Sequence, residues 1–263
     1  MAGTWYPRNA ARLAADVDRH LSRATLVPDL PRPLAIVAPH AGLTYSGPVA
    51  AHAYALVQQH RFEAVVLVGP SHFVPFRGVS IWEAGAWETP FGPVPVAESL
   101  ARAIRAASPE VIEVPEAHGR EHALEMQLPF VAHVAPGVPI VPLAMGAQTR
   151  QTAFALARTL ADCAGPGVLL VASSDLSHYE DATTASRLDA AVIERVAALD
   201  AEGLMQDLED EPRHACGGGP MVAVMEAARR LGATGARVLQ YADSGDVSGD
   251  KSAVVGYMAA ALW

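Results

Sequence analysis

Three histidines, an aspartate and a cysteine stand where a folded chain could deliver their side chains to a common edge. His40 follows the apolar run Leu34–Ala38, His72 follows Ala64–Val68, and Asp175 and His178 follow Gly167–Ala172. Short continuous apolar runs bounded by turn residues fit strands buried on both faces. In open α/β sheets, ligands bind outside the carboxyl ends of such strands. Three independent placements at that edge point to one shared site rather than to isolated structural histidines.

Cys216 supplies a fourth point. It precedes Gly217-Gly218-Gly219-Pro220 and a helical run from Met221. Its thiol is therefore expected at a helix N-terminus, where backbone N–H groups favour the thiolate. Cys163, inside a helical pattern, reads instead as a small packed hydrophobe. Two imidazoles and a thiolate suit a transition metal; imidazole suits iron, copper and zinc alike, and thiolate adds a preference for the softer ions. Three protein ligands leave coordination positions open, as a catalytic site requires. His40, His72 and Cys216 are the expected ligands. Asp175 and His178, three apart, are placed to orient a bound water or to act as acid and base.

A competing pattern, His118-Gly119-Arg120-Glu121-His122, matches the H-x-x-E-H of inverted zinc proteases. That chemistry needs both histidines on one face of a formed helix. Pro115 and Gly119 set the predicted helix start near position 119, which leaves His118 at or before its N-cap. His122 and Glu125, one turn apart, are expected either to point together into the cleft or to form a solvated pair.

The elements that must position these residues alternate along the chain. Helical spacing covers 9–22, 48–59, 97–107, 120–134, 150–163, 183–198 and 217–231. Strands are expected at 34–38, 64–68, 139–144, 167–172, 236–241 and 252–261, with an irregular β excursion over 78–96. The reading is an α/β fold, one domain over residues 1–263, with a mostly parallel or mixed central sheet covered by helices.

Composition removes several classes. Of 263 residues, 51% are hydrophobic and 18% charged, too apolar for a disordered chain. Acidic residues outnumber basic ones 28 to 19, for a net charge of −9, which argues against nucleic acid as a partner. No apolar run approaches the roughly 20 residues of a membrane span, and the N-terminus lacks signal-peptide features, so a cytoplasmic protein without membrane contact is expected. Two cysteines exclude a disulfide framework. Asp250 precedes the single lysine, Lys251, so no Walker-A loop exists.

The motifs resemble those of the Memo family in order along nearly the whole chain. They are Ala2-Gly-Thr-Trp-Tyr6, Ala38-Pro-His40-Ala-Gly42 with Tyr45-Ser-Gly47, and Gly69-Pro-Ser-His72. Glu121-His122-Ala-Leu-Glu125-Met-Gln-Leu-Pro129, Ser173-Ser-Asp175-Leu-Ser-His178-Tyr179 and Cys216-Gly217 complete the set. In prokaryotes such proteins are called the B component of the AmmeMemoRadiSam system, which implies a radical-SAM enzyme and an AMMECR1-like protein as partners. The resemblance implies a fold similar to class III extradiol dioxygenases, with metal ligands at His40, His72 and Cys216. It also implies that Asp175, His178 and His122 line the same cleft, whereas His118 lies outside the family motif. The dioxygenases complete their iron site with a carboxylate where this chain has a cysteine, and a thiolate is itself oxidisable.

Three functions follow as expectations. The leading one is a metal-binding protein with redox or oxygen-dependent chemistry, a dioxygenase-like oxidoreductase. The second is a hydrolase using Cys216 as nucleophile with a nearby histidine as base. The third is a non-enzymatic module that binds a peptide or small molecule.

Overall fold

The apolar runs that end at Ala38, Pro70 and Ser173 contain nothing that needs water, and they become the middle of the sheet. In the computed structural model, which describes residues 1–263, the strands are β1 (Ala35–Ala38), β2 (Ala64–Pro70), β3 (Val79–Ile81), β4 (Ala86–Trp87), β5 (Val94–Pro95), β6 (Val111–Ile112), β7 (Ile140–Met145), β8 (Val168–Ser173), β9 (His178–Glu180), β10 (Ala236–Asp243) and β11 (Val254–Leu262). The helices are α1 (Ala10–Arg23), α2 (Leu43–Val57), α3 (Glu98–Ala107), α4 (Glu116–Gly119), α5 (Leu128–Val134), α6 (Arg150–Cys163), α7 (Ala182–Ala197), α8 (Ala201–Asp210), α9 (Gly218–Arg230) and α10 (Gly245–Ser248).

The main sheet runs β10-β11-β1-β8-β2-β7-β3-β6, with β9 paired to β11 and β4-β5 forming a separate ribbon. Its centre, β1-β8-β2-β7, is parallel. Antiparallel pairings join β11 and β10 on one side and β3 on the other. The sheet is therefore mixed, with a parallel core, as the alternation of elements anticipates. Apolar layers cover both faces: α1, α2 and α5 pack on one, and α3, α6, α8 and α9 on the other. No helix is long and apolar enough to cross a membrane.

Most expected elements form within a few residues of their predicted ends, and α6 matches at both. Three differ. Residues 120–134 are not one helix; α4 stops at Gly119, and after a bend a 3-10 turn over 125–127 leads into α5. Pro129 has no N–H to donate and sits in the first turn of α5, so the helix restarts there rather than running through. Helix α8 lies where none is expected, since Gly203 and four acidic residues obscure its three apolar anchors, Leu204, Met205 and Leu208. The Asp200 side chain caps it, accepting from Gly203 N. Helix α2 begins at Leu43 rather than Pro48, and Pro48 lies inside it.

Candidate metal centre

Strands β1, β8 and β2 are neighbours, so their carboxyl ends bring His40, the Ser174–His178 segment and His72 to one edge of the sheet. Cys216 reaches the same edge from the loop before α9. Its backbone N–H donates to the Asp175 carbonyl (3.2 Å), and Gly217 N–H donates to Ser174 Oγ (2.9 Å). This approach requires glycine: a Cβ at position 217 would lie 2.5 Å from the Ser173 carbonyl oxygen. His122 enters from the bent segment between α4 and the 3-10 turn.

The three rings converge. Each of His40, His72 and His122 offers a nitrogen within 4.8 Å of the others. Ring centroids lie 5.3 Å apart for His40–His72, 5.4 Å for His40–His122 and 4.6 Å for His72–His122. Cys216 Sγ stands 3.1 Å from His40 Nε2. Two ligand atoms about 2.1 and 2.3 Å from one ion, at right angles, are about 3.1 Å apart, so this pair fits a shared ion. Trp5 covers His122, with centroids 4.3 Å apart.

Hydrogen bonds fix which nitrogens are left open. Ser173 Oγ donates to the Ala123 carbonyl (2.7 Å) and accepts from Gln127 Nε2 (2.7 Å). The His40 Nδ1 contact with that hydroxyl (2.9 Å) must therefore be an N–H donor, which leaves Nε2 as the lone pair toward Cys216. Gln127 is itself held, donating to the Pro39 carbonyl and accepting from the Tyr54 hydroxyl. His72 Nδ1 donates to Glu121 Oε1 (2.8 Å), again leaving Nε2 free. A carboxylate behind an imidazole is the usual way to orient a metal-binding histidine. His122 Nδ1 is buried with no hydrogen-bond partner, 3.5 Å from Glu121 Oε1. A buried, unmet imidazole nitrogen beside two other imidazoles is a donor set that suits a transition-metal cation.

Burial keeps the His40 and His122 rings neutral. Burial lowers His40 to about 3, with the neighbouring His72 charge adding to it. Burial and then His40 lower His122 to about 4. Burial raises Glu121, but hydrogen bonds from the His72 ring and from the Ala123 and His72 amides outweigh it and hold the carboxyl at about 2. Asp175 moves up through burial, opposed by the amides that bond to it.

The expected residues sit as follows. His40 and His72 come together with His122, and Cys216 meets this cluster through His40. Asp175 Oδ1 accepts from the His40 and Ala41 amides (2.7 and 3.3 Å), tying the β1–α2 turn to β8. It thus braces a neighbouring strand end rather than its own turn. His178 Nδ1 bonds the Leu176 carbonyl (2.8 Å), and Tyr179 beside it takes a positive φ of 62° while 78% exposed. The expectation of a Cys216 thiolate fails in the metal-free chain: burial pushes the thiol far above its ordinary range, and the negative Asp175 adds to this. Glu125 does not pair with His122, since the Tyr6 hydroxyl donates to it (2.7 Å). His118 lies inside α4, buried, with its ring on Ser80 and between Trp82 and Trp87. Sequence reasoning missed Glu121, Ser173 and Gln127 as orienting groups. For Glu121 the signal was present, as a carboxylate directly before His122.

Comparison with known proteins identifies the family of the chain. Residues 1–261 match the family described as Memo-like protein. A MEMO1 family protein of Methanothermobacter thermautotrophicus is 38% identical over 268 residues, covering 98% of this chain and 96% of that one. One from Thermotoga sp. (strain RQ2) is 38% identical over 277 residues, covering 100% and 98%. One from Caldivirga maquilingensis is 38% identical over 235 residues, covering 88% and 83%. The crystal structure of an uncharacterized Escherichia coli K12 protein superposes with a TM-score of 0.60 at 17% identity, covering 86% of this chain and 99% of that one, which supports the fold alone. With a family match over almost every residue and relatives aligned over nearly their whole length, the chain belongs to the Memo-like protein family.

Proposed function

We propose that the cleft is a redox metal centre, with iron or copper held by His40, His72 and Cys216. The observation that carries this reading is the convergence of three imidazoles whose nitrogens lie within 4.8 Å, with a cysteine sulfur 3.1 Å from one of them. When bound, such an ion supplies electron transfer to a substrate, including oxygen-dependent chemistry.

The chain's own residues do the rest. Ser173 and Glu121 hold the His40 and His72 rings with Nδ1–H turned away, so that each presents Nε2. His178, with Nδ1–H on a carbonyl, keeps an Nε2 lone pair for proton exchange. Asp175 fixes the His40 backbone, and Trp5 shields one face of His122 from water. Anaerobic loading with iron or copper, followed by elemental analysis of parent, His72→Ala and Cys216→Ser proteins, tests the ligand set. Tight binding in the parent and its loss in both variants is expected; undiminished binding in both would end the proposal.

A second reading rests on the same 3.1 Å contact. A cysteine thiol donating to a histidine lone pair is the resting form of a Cys–His nucleophile pair, and a hydrolase would use Cys216 to attack carbon. Covalent labelling of Cys216 by a substrate-like electrophile, blocked by His40→Ala and indifferent to metal, would favour it over the metal centre.

A further inference from the structure

A cavity of about 610 Å³ lies between α1, α2, the N-terminal loop and β10. Its volume falls within the roughly 300–1,000 Å³ of small-molecule sites. Helix α1 lines it with Arg12, Asp16, Arg19 and Arg23. Viewed down a helix of about 3.6 residues per turn, these positions fall within an arc of roughly 60°. That arc borders the stripe of Leu13 and Val17 that packs inward, so the arginines flank the groove instead of standing on the outer face.

The charges in this cavity do not cancel. Asp16 pairs with Arg19 (2.6 Å), while Arg12 and Arg23 have neither an ion pair nor a side-chain hydrogen bond. Three guanidinium groups against one carboxylate line one cavity of a chain whose net charge is −9. On the opposite wall, α2 contributes the half-buried His52 ring. The guanidinium fork is suited to bidentate capture of phosphate or carboxylate oxygens.

We propose that this cavity binds a small oxyanionic ligand, a phosphate or carboxylate group taken by Arg12 and Arg23. Trp5 connects it to the metal cleft: the indole lines the cavity and also lies 4.3 Å from the His122 ring. The site is independent of the metal reading, because none of its basic residues belongs to the histidine cluster.

The test is titration of the whole chain with inorganic phosphate, and separately with citrate, by calorimetry. Arg12→Glu/Arg23→Glu is compared with Arg158→Glu/Arg187→Glu, which makes the same charge change on exposed arginines that carry no ion pair. The first pair should weaken binding at least tenfold, and the second, like His72→Ala, should leave it within twofold. Whichever anion binds tighter identifies the group, phosphate or carboxylate. If charge reversal disturbs folding, Arg12→Gln/Arg23→Gln is expected to show the same loss with native circular dichroism. Absence of millimolar binding of either anion, equal weakening by the two arginine pairs, or loss through His72→Ala would each overturn the proposal.

Discussion

His40 and His118 begin alike and end differently. Each is buried, each rests one ring nitrogen on a serine hydroxyl (Ser173 at 2.9 Å, Ser80 at 3.0 Å), and burial lowers each, to about 3 and about 4. The second nitrogen separates them. That of His40 meets a cysteine sulfur and shares its surroundings with His72 and His122. That of His118 is buried without a partner, and its ring sits between two indoles. A buried histidine with a depressed pKa is therefore not by itself a functional signal here. Convergence of several donors is.

Breaking each side of this comparison should give effects of very different size. The largest is expected from His72→Ala, which removes an oriented ligand and should abolish tight iron or copper binding, whereas His118→Ala should leave metal content intact. The cost of His118→Ala should appear in stability instead, about 0.5–3 kcal/mol by chemical denaturation. Metal loss in a folded His118→Ala protein would revive the H-x-x-E-H pattern as the binding unit.

A smaller effect is expected from the groups that orient the ligands. Glu121→Gln leaves His72 Nδ1–H facing a neutral amide, and Asp175→Ala frees the His40 backbone. Each should weaken metal binding on the order of 10- to 100-fold, measured by competition with a chelator. Complete loss from Asp175→Ala in a folded protein would make Asp175 a direct ligand.

The pH dependence of the metal-free chain sharpens the comparison further. His40 and His122 bind protons at about 3 and about 4 when folded, against 6.5 for an ordinary histidine. Between pH 6.5 and about 4 the unfolded chain thus takes up protons that the folded chain refuses, so stability falls as pH falls through that window. The decline should be shallower in His122→Gln, and a slope identical to the parent's would mean that His122 is already charged in the folded state. The smallest effect belongs to Cys163→Ser, in a half-buried position on α6, which should change metal binding by less than twofold.

The parallel core was legible because β1, β2 and β8 are almost wholly buried, and burial on both faces leaves an uninterrupted apolar run in the sequence. The placement of His40 and His72 followed from the same runs, since a residue just past such a strand has few other places to go. His122 was harder to place. Its position depends on the break after α4, where Glu121 accepts from the His72 and Ala123 amides, and a periodicity argument reads through that break. The state of Cys216 was misjudged for a similar reason: proximity to a helix start was visible in the glycines, but the burial that raises the thiol comes from distant segments. The Ser173–Gln127–Tyr54 chain, which sets the His40 tautomer, joins residues far apart in sequence and leaves no local pattern.

The central claim is that a cysteine sulfur and two imidazoles share one metal ion in this cleft. Anaerobic titration of the metal-free chain with copper or iron, followed by absorption spectroscopy, tests it most directly. A sulfur-to-metal charge-transfer band that saturates at one ion per chain and disappears in Cys216→Ser, but persists in Cys163→Ser, is the predicted result. Stoichiometric binding with no such band, unchanged by Cys216→Ser and lost in His122→Ala, would contradict it and assign the ion to the three histidines alone.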